Sequence, residues 1–186
     1  MAISRRTVLK YGLGGAVVLA LGGIGLAVRD TVKRQPKGKL QVLTEREFSI
    51  LWAVAETLLP GAPQTGETAA FPPASDVQVA EKVDAFLARS HPGMQTEVRQ
   101  VLGLLENALA GSLFDGRFQS FTASDALGQA KALDAWRHSK LQVRRTAYRA
   151  LHGLCAASYY ASPEVYPSVG YPGPPSYGNF VPKVAS

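Results

Sequence analysis

The chain has 186 residues, 46% of them hydrophobic and 18% charged, with 20 Lys and Arg against 14 Asp and Glu, 12 prolines and a single cysteine. Its formal charge of +6 is concentrated near the N-terminus: beyond Lys39 there are 12 basic and 13 acidic residues, so the remainder is near neutral and offers no case for a nucleic-acid partner. Cys155 has no second thiol for an internal disulfide, an iron–sulfur cluster or a Cys-x-x-Cys-His haem attachment, which argues against electron carriage by this chain, and beyond the N-terminal glycines the sequence carries no glycine-rich phosphate loop, Gly-x-Ser-x-Gly or His-Glu-x-x-His.

The chain opens with Ser4-Arg5-Arg6-Thr7-Val8-Leu9-Lys10 and an uncharged run over residues 11–28 that contains six glycines. Paired arginines ahead of a hydroxyl residue, an apolar pair and a lysine form a twin-arginine export pattern, with Ser4, Arg5, Arg6, Leu9 and Lys10 as the targeting residues. Such an address is read by the twin-arginine translocase of the bacterial inner membrane, which carries folded cargo, and it sets the expected location as the periplasm or the periplasmic face of that membrane. At 18 residues the run is also near the lower limit of about 17 that spans a bilayer, so both a cleaved leader and a retained anchor stay open. A basic linker over residues 29–42 follows, read as solvated.

Helical patterns begin at Thr44. Thr44-Glu45-Arg46-Glu47 is a capping box, and Phe48, Leu51, Trp52, Ala55, Leu58 and Leu59 recur at helical spacing up to Pro60-Gly61. After a proline-bearing loop over residues 61–74, Ser75 to Gln78 repeats the capping pattern ahead of a stripe of Val79, Val83, Phe86 and Leu87. His91-Pro92-Gly93 separates this helix from a third, expected over residues 94–113, with Val98, Val101, Leu102, Leu105 and Leu109 on its apolar face. Asp115-Gly116 is a turn signal, and Thr122 with Asp125 predicts the start of a fourth helix striped by Leu127, Ala130, Leu133 and Trp136. A fifth is expected over residues 139–160, where Ala150, Ala156, Ala157 and Ala161 suggest close helix packing. No segment alternates with a period of two. The expectation is an all-α bundle of about five helices over residues 43–161, followed by an irregular arm over residues 162–186.

The last 24 residues hold six of the twelve prolines together with Tyr166, Tyr171, Tyr177 and Phe180. Proline opposes regular structure, while so many aromatics are ill suited to a free tail. The arm is therefore expected either to strap its own bundle or to dock on another protein, tyrosine being favoured at interfaces. Tyr159, Tyr160, Pro163, Tyr166, Pro167, Tyr171 and Pro172 are the candidate docking residues.

Candidate catalytic groups are few. His152 and Cys155, three apart on one helix, have the minimum spacing for a thiolate and base pair, and a self-sufficient exported enzyme built on them is the alternative reading. Asp134 and His138 form an i, i+4 pair, and Arg144, Arg145 and Arg149, with Arg137 and Lys140 upstream, predict a basic face. A membrane-anchored helical binding protein is the third reading.

The residues Leu43-Thr44-Glu45-Arg46-Glu47-Phe48, Leu58-Leu59-Pro60, Trp136 with Arg144-Arg145, and Tyr159-Tyr160-Ala161-Ser162-Pro163-Glu164-Val165-Tyr166-Pro167 running into Gly170-Tyr171-Pro172-Gly173 resemble subunit 3 of gluconate 2-dehydrogenase. This family also supplies the small subunits of flavin-dependent glucose, fructose and sorbitol dehydrogenases. The resemblance covers most of residues 40–175, with its specific part at the C-terminal end. It implies a noncatalytic accessory subunit without catalytic, cofactor or metal residues. Its expected partners are a glucose-methanol-choline type flavoprotein that holds FAD and a multihaem cytochrome c that holds haem c, and it carries the export signal for a large subunit that lacks one.

Overall fold

The computed structural model describes residues 31–59, 71–107 and 119–174. The leader with Ser4, Arg5, Arg6, Leu9 and Lys10, most of the loop over 61–74, Leu109, the Asp115-Gly116 turn, and Tyr177 and Phe180 lie outside the described residues. Among those described, the secondary structure is all-helical: α1 (Glu45–Leu58), α2 (Val79–Ala88), α3 (Pro92–Glu106), α4 (Ala126–Arg137), α5 (Gln142–Tyr160) and a 3-10 helix (Pro163–Val169). The expected all-α class holds.

Helix α1 is the axis of the bundle and packs against each of the other four α-helices. Its capping box forms as the sequence predicts: the Thr44 hydroxyl accepts from the Glu47 amide, and the Glu47 carboxylate accepts from the Thr44 amide at 2.8 Å. Phe48, Ser49, Ile50, Leu51, Ala53, Val54 and Ala55 are all buried, so its apolar surface wraps most of the helix, as a helix surrounded by neighbours requires. Glu47 also receives the Arg99 Nε at 2.9 Å, tying the start of α1 to α3.

Several local expectations give way to tertiary ones. No side chain caps α2; its N-cap Gln78 sits in the left-handed region (φ 56°) after a turn, and the Ser75 amide donates instead to Glu56. Phe86, expected in the α2 stripe, is 45% exposed, and the buried set is Val79, Ala80, Val83, Asp84 and Leu87. Helix α3 starts two residues before the predicted position. Pro92 takes the first turn, where its missing N–H costs nothing, and the His91 ring accepts from the Gly93 amide at 3.0 Å.

Thr122 does not begin α4. Asp125 is the cap, accepting from the Gly128 amide at 2.8 Å, while Thr122 is committed elsewhere. Its hydroxyl donates to the buried Glu106 at 2.6 Å and accepts from the Val32 amide at 3.1 Å, and its own amide donates to Glu106 at 3.0 Å. On α4, Ala132, Leu133 and Trp136 face the core, and the predicted Leu127 and Ala130 face solvent. On α5 the buried stripe is Arg144, Ala147, Leu151, Cys155 and Tyr159; of the alanines expected to pack, Ala156 is half-buried and Ala150, Ala157 and Ala161 are exposed.

The segment over residues 31–43 is a strap bonded to the bundle, in contrast to the solvated linker expected there. Asp84, 2% exposed, accepts from the amides of Gln41, Val42 and Leu43; the Arg34 amide donates to Ser49, and the Lys37 amide to Glu81. Because these bonds use backbone donors, the Lys33, Arg34, Lys37 and Lys39 side chains stay exposed.

Candidate docking surface

The groups with catalytic potential are held apart. Cys155 is fully buried, and burial pushes its thiol up from 9.0 to about 12, which removes the thiolate needed for nucleophilic attack. His152 is exposed and stacks on Tyr148, ring centroids 5.9 Å apart. The two residues thus point to different environments. Asp134 and His138 approach to 3.1 Å, but both side chains are about two-thirds exposed, so water screens the pair. Among the described residues no three His, Cys, Asp or Glu side chains converge on one point.

Two clefts lie among the described residues on either side of the strap. One of about 180 Å³ lies between the strap and α2, lined in part by Lys39, Gln78, Glu81 and Asp84. The other, about 250 Å³, lies between the strap, α1 and the start of α4, with Arg34, Trp52, Thr122 and Gln129 on its walls. Both are smaller than the roughly 300–1,000 Å³ common for cofactor and small-molecule sites. The Arg34 guanidinium also covers the Trp52 ring at 4.4 Å, so the aromatic wall of the second cleft is already stacked.

The predicted basic face is smaller than its arginine count suggests. Arg144 is 8% exposed and lies over the Trp136 ring at 5.1 Å, joining α5 to α4. Arg145 donates to the Ser139 carbonyl at 2.6 Å, closing the α4–α5 turn. Arg137, Lys140 and Arg149 remain exposed.

The C-terminal arm divides into an inner and an outer side. Tyr159, placed by the sequence among the docking residues, is instead fully buried at the end of α5; its hydroxyl donates to the Pro72 carbonyl at 2.7 Å, and burial raises its phenol above the ordinary 10.0. It is a core residue with a long-range anchor and is not offered to a partner. Beyond it, residues 163–169 form a 3-10 turn despite Pro163 and Pro167, because a 3-10 start tolerates proline at its first position and Gly170 closes the turn at φ 66°. Val165 and Ser168 face inward, and Lys82 on α2 donates to the Ser162 hydroxyl at 2.6 Å. Tyr166 and Tyr171 meet edge to face at 4.9 Å, the Tyr171 amide donates to the Tyr166 carbonyl, and the Tyr166 hydroxyl donates to the Ala161 carbonyl.

The outer side is apolar. Tyr160 and Tyr171 are each 44% exposed and Val169 is 46% exposed, with Pro163, Pro167 and Pro172 beside them. The strap expectation describes the inner residues, and the outer ones form an ordered, exposed aromatic and proline surface. Sequence reasoning named most of that surface but missed Val169, whose flanking glycine and serine give no helical or strand pattern.

No curated protein and no solved structure matches this chain. The family model described as gluconate 2-dehydrogenase subunit 3 matches residues 45–173, which takes in all five α-helices and the 3-10 turn. The chain belongs to the gluconate 2-dehydrogenase subunit 3 family.

Proposed function

We propose that this chain is the noncatalytic accessory subunit of a periplasm-facing, FAD-dependent dehydrogenase acting on sugar or sugar-acid CH–OH groups. It escorts the large flavoprotein subunit through twin-arginine export and stabilises it afterwards. The family's description names a subunit, a chain that works in assembly with others. The observation that carries the reading at the residue level is the outer side of the arm. Tyr171 is held edge to face on Tyr166, Tyr160 edge to face on the buried Tyr159, and Val169 by the 3-10 turn, yet all three remain exposed, so little ordering cost is left for a partner to meet. Cys155 is too deeply buried to support the rival reading of an enzyme built on His152 and Cys155.

Electron transfer in this proposal belongs to the FAD of the large subunit and to haem c in a cytochrome partner. The twin arginines Arg5 and Arg6 carry the export of the pair. The test is to isolate the tagged chain from membranes and periplasm of its own host and record the absorbance of the eluate. A near-stoichiometric flavoprotein supports the accessory role, and Arg5→Lys with Arg6→Lys should then trap both subunits in the cytoplasm. A colourless single chain would sink the proposal.

A further inference from the structure

The strap begins almost where the apolar run ends, and that short distance restricts where the bundle can sit. The uncharged run closes at residue 28. The fold takes hold of the chain at Thr31, whose Oγ1 accepts from the Arg46 Nε at 3.2 Å, and at Val32, whose amide donates to Thr122 at 3.1 Å. At no more than about 3.6 Å per residue, the three steps from residue 28 to Thr31 reach about 11 Å, whereas an unbonded linker up to Leu43 would reach about 50 Å. Once the run enters a bilayer, the strap is therefore the part of the bundle held nearest to it.

The charge of the strap suits that place. Residues 31–44 contain Lys33, Arg34, Lys37 and Lys39 and no acidic residue. The carboxylates that face the strap, Glu81 and Asp84, accept its backbone amides, and four cations against these two anions leave the segment net positive. Arg34 is stacked over Trp52, and the Lys37 Nζ donates to the Ser75 carbonyl at 3.3 Å. Lys33 and Lys39 are exposed, and neither enters an ion pair among the described residues. Charges act on one another across about 8 Å at physiological salt, so a tether of about 11 Å with Lys33 just past its end brings the segment into the range of a headgroup layer.

We propose that the strap is a membrane-facing surface. With the apolar run in the bilayer, the ties of residues 31–43 hold the bundle against the headgroups, where Lys33 and Lys39 meet the phosphates of anionic phospholipid. The backbone bonds to Asp84, Ser49 and Thr122 turn a flexible leash into a short, rigid one. This goes beyond the accessory role and rests on the reading of residues 11–28 as a membrane-entering leader.

The experiment adds the full chain to preformed vesicles of phosphatidylcholine, with or without phosphatidylglycerol. It reads partition by flotation, together with acylation of each lysine by a neutral amine reagent. Partition should favour the phosphatidylglycerol vesicles, and Lys33→Gln with Lys39→Gln should lower that preference by about fivefold or more at low salt, the difference closing as salt rises. Both side chains are exposed, so thermal stability should not change. Arg137→Gln with Lys140→Gln removes the same charge at the end of α4, away from the strap, and should leave the preference intact. Acylation of Lys33 and Lys39 should slow on phosphatidylglycerol vesicles, and that of Lys140 should not.

Equal losses from the two double variants, or strap lysines acylated at the same rate on both vesicles, would overturn the role of the strap while the leader reading stands. A chain that partitions onto neither vesicle refutes the leader reading and the proposal with it. Capture of the flavoprotein is read separately, so the accessory role survives or fails on its own measurement. Strap lysines already shielded in detergent, by the flavoprotein or by another segment of this chain, would overturn the choice of the bilayer as occupant.

Discussion

The carboxylate of Asp84 on α2 accepts the backbone N–H of Leu43 at 2.8 Å across 41 residues of sequence, and the same carboxylate takes the amides of Gln41 and Val42. The chain leading into α1 is thereby fixed to the bundle through a buried anion satisfied by three donors. The amides also lie beside a capping box, so the entry into the central helix is held from both sides.

Replacing Asp84 with alanine leaves three strap amides without their acceptor. Hydrogen bonds to a charged group contribute about 1.5–3 kcal/mol each, and partial rescue by water should bring the net loss to roughly 3 kcal/mol. Asp84→Asn keeps one acceptor oxygen and should lose less. Denaturant unfolding gives the ranking, and limited proteolysis of residues 31–43 should accelerate in the same order. Equal stability of all three proteins would mean that the strap contributes nothing to the fold.

Glu106 and Thr122 make a second long-range polar contact, joining the end of α3 to the approach to α4 and, through the Thr122 hydroxyl, to Val32. Glu106 is fully buried, so Thr122→Val, which removes the hydroxyl and keeps the shape, should cost about 1–3 kcal/mol by leaving one carboxylate oxygen short of a donor. A double-mutant cycle with Glu106→Gln should show coupling above about 0.5 kcal/mol. Additive effects would show that the two side chains act independently.

Cys155 makes a pH-dependent contribution with a defined sign. Burial raises its folded pKa above the unfolded value near 9.0, so the fold favours the neutral thiol. Its contribution is complete below pH 9.0 and is lost as the pH climbs towards about 12, because the unfolded chain releases the proton first. The stability difference between wild type and Cys155→Ala should be flat below pH 9.0 and shrink above it. A thiol reagent should label Cys155 only at the rate of unfolding; fast labelling of the native chain would contradict its burial.

The arm residues should separate by depth. Tyr159→Ala removes a fully buried ring and should destabilise the chain by about 3–5 kcal/mol, while Tyr159→Phe loses only the bond to Pro72 and should cost about 1–2 kcal/mol. Tyr166→Ala with Tyr171→Ala removes an edge-to-face pair of one half-buried and one exposed ring worth about 0.5–1.5 kcal/mol, so the isolated bundle should stay folded while flavoprotein affinity drops about tenfold. Calorimetry of the lone chain and affinity of the co-expressed complex give the two readouts. A double variant that unfolds would assign those tyrosines to the strap.

Where the sequence pattern was local, it was legible. The Thr44 capping box, Pro92 at a helix start and the helical period of α1 all depend on contacts within a few residues, whereas the arm, expected to be irregular, forms a 3-10 turn over Pro163–Val169 held to the bundle by Val165 and by Lys82 on Ser162. The wrong assignments fell where two positions were locally equivalent. Ser, Thr and Asp within one stretch can each cap a helix, and Asp125 became the cap because Glu106, 16 residues before Thr122, drew the hydroxyl away.

By itself the sequence determined the all-helical class, the single buried-type cysteine, the family and the composition of the arm, since these follow from periodicity, residue chemistry and motif. Only the tertiary structure decided which face of each helix is covered. The alanines of α5 fit a packed face as well as an open one, and the choice fell to Leu151, Cys155 and Tyr159, whose larger side chains bury more apolar area against α1, α2 and α4. The same selection sent Tyr159 inward and left Tyr160 outside, because adjacent positions on a helix point about 100° apart and the core admits one of them.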